Sequence, residues 1–166
     1  MPELRWLDGY TGETVDELIA LEGKFRIDSL VLAFEQAMDQ KAARVRGGNL
    51  TREERIILAI EALEREVNNG GYGQFFVNSS REYAPMIVDA LLRISCPKTA
   101  AITQKAVDIV QGIPITPEEI KYGTWGDNQN RQEALNECDD LYFKRPEIIE
   151  QCLFAFIKAN RGKIKP

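Results

Sequence analysis

Any chemistry of this chain has to rest on carboxylates, lysine, tyrosine or cysteine, because it contains no histidine. Without an imidazole, Ser-His-Asp and Cys-His nucleophilic machinery is excluded from the chain acting alone, as are the familiar histidine-containing zinc sites. Two groupings stand out. Glu133, Glu137 and Asp140 fall at i, i+4 and i+7, so on a helix they share one face, with Asp139 beside them. Such a line suits a solvated helix face or a basic partner; a divalent ion would need further oxygen ligands from elsewhere. The second grouping is EREVNNGGYGQFFVNSS at 64–80, where Glu66, Asn69, Tyr72 and Gln74 would supply the polar lining of a pocket. The simpler reading of the same stretch is a junction between helices. Asn69 or Gly70 would take the left-handed conformation that ends a helix, and the second glycine would let the chain turn. Gln74, Asn78, Ser79 and Ser80 would then bond freed backbone groups, while Tyr72, Phe75 and Phe76 anchor the junction in the core. No Gly-Lys-Ser/Thr follows the glycines, so they do not form a phosphate loop. Cys138 and Cys152 fall on amphipathic helices and read as small core residues.

Helical periodicity positions these groups, and no run alternates as a strand does, so the fold class expected is all-α. The chain reads as one compact domain, 1–166, with about seven to eight helices around a central helix 52–68. Thr14 opens a short helix. A second runs from Ile27 to about Arg46, with Leu30, Phe34, Ala37 and Met38 on one face, and breaks at Gly47-Gly48-Asn49. Thr51 and Glu54 form a capping box at the start of the central helix. Its stripe of Ile56, Ile60, Leu63 and Val67 is flanked by Leu58, Ala59 and Ala62, which predicts contact with several neighbours. Further helices are expected at about 82–95, 98–111, 129–143 and 146–160, with Pro97 and Pro146 in first turns. Between them, 112–130 is the longest irregular segment, where Trp125 either meets a partner or tucks under its own loop. The segment 1–12 and the tail 161–166 are expected at the periphery.

The composition, 44% hydrophobic and 28% charged, is that of an ordinary globular protein. Three cysteines without a C-x-x-C favour a reducing compartment, and the N-terminus lacks the basic flank and apolar core of a signal peptide. No apolar run reaches bilayer length, so a cytoplasmic protein away from membranes is expected. The net charge of −5 is unevenly spread: residues 1–40 hold nine acids and three bases, whereas Lys158, Arg161, Lys163 and Lys165 make a basic tail. A field of mostly negative sign argues against direct nucleic-acid binding and for an acidic surface that meets a basic partner.

The run LTREERIILAIEALEREVNNGGYGQFFVNSS, 50–80, resembles the signature of the DNA-mimic protein domain family. The family pattern is a helix ending Glu-x-x-Asn-Gly-Gly, an aromatic, a variable residue, Gln, two aromatic or apolar residues and a later Asn. Here it falls on Glu66, Asn69, Gly70, Gly71, Tyr72, Gln74, Phe75, Phe76 and Asn78. Segments 17–38 and 139–160 are also similar to the family. The resemblance implies a compact all-α fold and a non-enzymatic protein that offers carboxylates to a DNA-binding regulator. The member that names the family is a dimer, which adds a homodimer to what the resemblance implies. Together with the charge pattern, this points to a basic protein partner, a regulator or a toxin, bound through Asp16, Glu17, Glu133, Glu137 and Asp140. The motif residues are expected to be structural, with no catalytic residue, cofactor or metal. The alternative is a ligand binder or enzyme built on Glu66, Asn69, Tyr72 and Gln74.

Overall fold

The structure is a computed structural model and describes residues 2–45, 49–111 and 129–166. Among these residues every regular element is helical, apart from two isolated bridges that join Phe25 to Arg5 and to Glu22. The helices are α1 (Val15–Ile19), α2 (Ile27–Arg44), α3 (Arg52–Val77), α4 (Ala84–Arg93), α5 (Pro97–Val110), α6 (Gln129–Phe143) and α7 (Ile149–Ala159). Short 3-10 turns cover Ser79–Tyr83 and Arg161–Lys163. The fold is all-α. None of the described helices is long and apolar enough to cross a membrane.

Contacts gather the chain into two compact units, 1–61 with 148–166, and 62–147. In the first, α2 packs against α7, and Leu30, Phe34, Met38, Ile56, Ile60, Leu153, Phe154 and Ile157 are buried. Two of its helix starts carry the reciprocal cap: Thr14 with Glu17, and, as expected, Thr51 with Glu54. Glu54 is fully buried, and its carboxylate accepts from the Thr51 N–H, Lys41 Nζ at 2.7 Å and the Lys165 N–H at 2.8 Å. These donors offset the cost of taking a charge out of water. The tail 161–166, expected at the periphery, is therefore tied down. Ile164 is buried, and the Lys163 carbonyl accepts from Thr51 Oγ1.

In the second unit α5 packs against α4 and α6, around Leu63, Val67, Tyr72, Phe75, Ile87, Leu91, Leu135 and Tyr142. Pro97 opens α5 as expected. Pro146 does not open a helix: α7 starts at Ile149, behind an N-cap residue, Ile148, in extended conformation. The intervening Glu147 instead turns its carboxylate to the Lys98 and Thr99 N–H groups and the Thr99 hydroxyl, capping α5 from a distant part of the chain. The break at Gly47-Gly48 and the Trp125 loop lie outside the described residues.

Candidate functional site

Ile56 to Ile60, Ala62, Leu63 and Val67 bury much of α3, and after exposed Asn68, Asn69 and Gly70 the chain is buried again at Gly71 and Tyr72. The helix does not stop at 68. It kinks at Gly70 (φ −156°, ψ 19°) and Gly71 (φ 78°, ψ −179°) and then resumes to Val77. The positive φ belongs to Gly71, not to Asn69 or Gly70, and with ψ near 180° it lies in a region that essentially only glycine enters. The break leaves the Tyr72 N–H without a helical acceptor, and Asp139 Oδ1, from α6, accepts it at 2.7 Å. The Asp139 carboxylate lies so close that its Cγ is 2.8 Å from where a Gly71 Cβ would stand. Two independent constraints thus require glycine at one position.

The other motif residues are used in the same internal way. Gln74 and Asn78 both donate to Glu66 Oε2, each at 2.8 Å, which clips the resumed helix to the turn before the kink. Gly70 leaves room for Gln74, whose Cδ would lie 2.8 Å from a Cβ there. Ser80 Oγ bonds the Phe75 carbonyl, whereas Gln74 and Asn78, expected to bond backbone, bond a carboxylate. Tyr72 is fully buried, its hydroxyl 2.7 Å from that of Thr103. Burial pushes its phenol well up. Its ring stacks on Phe76 at 6.4 Å and meets Tyr142 edge-on at 5.7 Å, and Phe75 packs on Phe76 at 5.2 Å. Tyr142 in turn donates to Glu64. Asn69 is exposed.

Glu66 and Gln74 are therefore brought together, whereas Tyr72 meets Thr103 and Asn69 is exposed. Burial pushes the Cys138 thiol up and keeps it protonated. Burial also pushes the Asp139 carboxyl up, outweighing the Tyr72 N–H, with Asp140 adding to the rise. Among the described residues no group of three or more Cys, Asp or Glu side chains is placed to hold a metal ion. Asp139, Thr103 and Glu147 are the residues here that sequence reasoning missed.

The expected partner-binding acids divide between the units. Glu133, Glu137 and Asp140 are all exposed on α6, while their neighbour Asp139 turns inward. Asp16 and Glu17 are exposed on α1, but Glu17 closes the capping box and Asp16 has Arg161 at 3.8 Å.

Compared with known proteins, the chain matches no curated protein and no solved structure. It does match the family model described as DMP19-like protein, over residues 48–160, which include the whole kink motif together with α4 to α7. With about two-thirds of its length inside that match, the chain belongs to the DMP19-like protein family.

Proposed function

We propose that this chain is a non-catalytic interaction protein that binds a basic protein partner, a DNA-binding regulator or a toxin, through the carboxylates of α6. It would act as a DNA mimic in the sense that its family resemblance implies. The supporting observation is the availability of Glu133, Glu137 and Asp140. All three are exposed, and among the described residues none meets a cation at ion-pair distance. Acids of the first unit are more engaged: Glu22 holds Lys158 at 2.8 Å, Glu53 holds Lys163 at 3.3 Å, and Asp16 faces Arg161. At a rise of about 1.5 Å per residue, the α6 carboxylates follow one another at axial steps of about 6 and 4.5 Å. One DNA strand presents a phosphate every ~3.4 Å along its axis, so this line is sparser than a strand. It offers a foothold for a basic patch, and Asp16 and Glu17 are secondary contacts.

The pocket reading gains no support from the motif, whose carboxylate, amides and phenol are engaged with one another and with Thr103. The test is capture from cell lysate on the immobilised protein, beside a variant carrying Glu133→Lys, Glu137→Lys and Asp140→Lys. A basic nucleic-acid-binding protein that elutes as salt rises, competes with duplex DNA and is lost from the triple variant is the expected result. Equal binding by the triple variant would overturn the proposal.

A further inference from the structure

The N-terminal segment forms a second feature, every residue of which belongs to the first unit and precedes the family-matched stretch. Residues 5–13 lie along α2, held by hydrogen bonds from the Leu7 N–H to Ser29 Oγ at 3.1 Å and from the Tyr10 N–H to Gln36 Oε1 at 2.8 Å. The Arg5 N–H donates to the Lys24 carbonyl, and the Arg5 carbonyl accepts from the Arg26 N–H. Between this segment and α2 is an open cleft of about 630 Å³, within the size range of small-ligand and peptide pockets. Its walls include Trp6, Tyr10 and Phe25, its carboxylates are Asp8 and Glu13, and Gln36 contributes an amide.

We propose that this cleft binds an extended peptide segment bearing arginine or lysine. The aromatic faces already show what they take. The Arg5 guanidinium sits 4.9 Å over the Phe25 ring and that of Arg26 sits 5.4 Å over Trp6, which is still 48% exposed. Within the lining one cation, Arg5, faces two carboxylates, a balance that favours a basic visitor over a phosphate. Glu13 is preset for the task, because the Thr11 hydroxyl and N–H both donate to it and lower its pKa, favouring the ionised form. Asp8 is exposed and makes no hydrogen bond or ion pair among the described residues. For the peptide backbone, the Trp6 indole N–H and the Gln36 amide N–H2 remain without an acceptor among the described residues and suit two carbonyl oxygens.

A test uses the full chain with Trp125→Phe, which leaves Trp6 as the sole tryptophan. A short peptide of alternating proline and arginine is titrated against Trp6 emission, beside the same peptide with glutamate for arginine. Saturable binding of the arginine peptide alone is expected. Asp8→Asn should weaken it about three- to fivefold, as loss of an exposed ion pair does. Trp6→Ala, followed by calorimetry, should weaken it about tenfold. Because Asp8 supports no other group, its variant separates lost binding from a disturbed loop. No saturable response, an equal response to the glutamate peptide, or indifference to both substitutions would overturn the proposal. The α6 triple variant should bind the peptide unchanged, so this inference and the α6 reading can fail separately.

Discussion

Asp139 stands against Gly71, with its Cγ 2.8 Å from the site of a Gly71 Cβ and its Oδ1 on the Tyr72 N–H at 2.7 Å. One carboxylate, 67 positions away along the chain, thereby accepts the backbone donor freed by the kink and fills the space beside it. That arrangement explains why the motif is written in glycines and amides: each residue either makes room for a polar group or satisfies one.

Gly71→Ala meets both constraints at once. An alanine has to enter a region that L side chains rarely adopt, and it must push the Asp139 carboxylate from the Tyr72 N–H. The expected loss is about 2–4 kcal/mol, from backbone strain plus an unsatisfied donor. Gly70→Ala should lose less, about 1 kcal/mol, because Gln74 can swing away at the expense of its bond to Glu66. Gly162→Ala, with nothing within 4 Å of its Cβ position, is the control. Urea denaturation of the three variants checks the order, and a Gly71→Ala protein as stable as the control would refute the account.

The half-buried Asp139 carries a pH signature. Its folded pKa is raised, chiefly by burial, so the folded protein holds this proton more tightly than the unfolded chain, where aspartate titrates near ~3.9. The resulting stability is fully present below about pH 4 and is lost as pH rises through the folded value. Asp139→Asn keeps an oxygen for the Tyr72 N–H and removes the charge. Relative to the wild type it should gain stability from acid towards neutral pH. Asp139→Ala leaves that N–H unpaired and should lose about 1–3 kcal/mol in acid, with a deficit that shrinks as pH rises because it too lacks the charge. Thermal melts of the three proteins between acid and neutral pH check both statements.

Local chemistry was legible in the sequence wherever cause and consequence are neighbours. The capping pair Thr51–Glu54 is three residues apart, Thr14 opens the short helix that it heads, and Pro97 announces its own helix. The stripe Ile56, Ile60, Leu63 and Val67 repeats with the helical period, and all four side chains are buried. What escaped depends on partners distant in the chain. Asn-Asn-Gly-Gly reads as a terminator, yet α3 resumes, because Asp139 satisfies the freed N–H and Glu66 collects Gln74 and Asn78. Nothing near Tyr72 points to Thr103. Pro146 carried a helix-start signal, but Glu147 beside it caps α5 and the chain runs extended into Ile148.

Glu147 should show the opposite pH dependence to Asp139. Burial would raise its carboxyl, but hydrogen bonds from the Thr99 hydroxyl and from the Thr99 and Lys98 N–H groups outweigh it and leave the pKa lowered. Its contribution is therefore present above about pH 4.3, the unfolded value, and is lost as pH falls through the depressed folded value. Glu147→Gln should cost stability at neutral pH and progressively less on acidification. Melts of this variant beside Asp139→Asn should diverge from the wild type with opposite slopes. Parallel slopes would mean that one of the two carboxylates does not have the environment described.

Structural and partner-binding roles predict a double dissociation. Tyr72→Phe leaves the buried Thr103 hydroxyl without its partner, at about 1–3 kcal/mol, and Glu66→Gln weakens the clip made by Gln74 and Asn78. Both variants should melt earlier yet, below their melting points, capture the basic partner as the wild type does, because neither alters an exposed charge of α6. The Glu133, Glu137 and Asp140 reversals should do the reverse. Side chains that are exposed and, among the described residues, without an ion-pair partner contribute little to stability, so the melting point should hold while salt-sensitive capture is lost. If Glu66→Gln abolished capture with the fold intact, the carboxylate inside the motif would be the functional group and the α6 surface a solvated helix face.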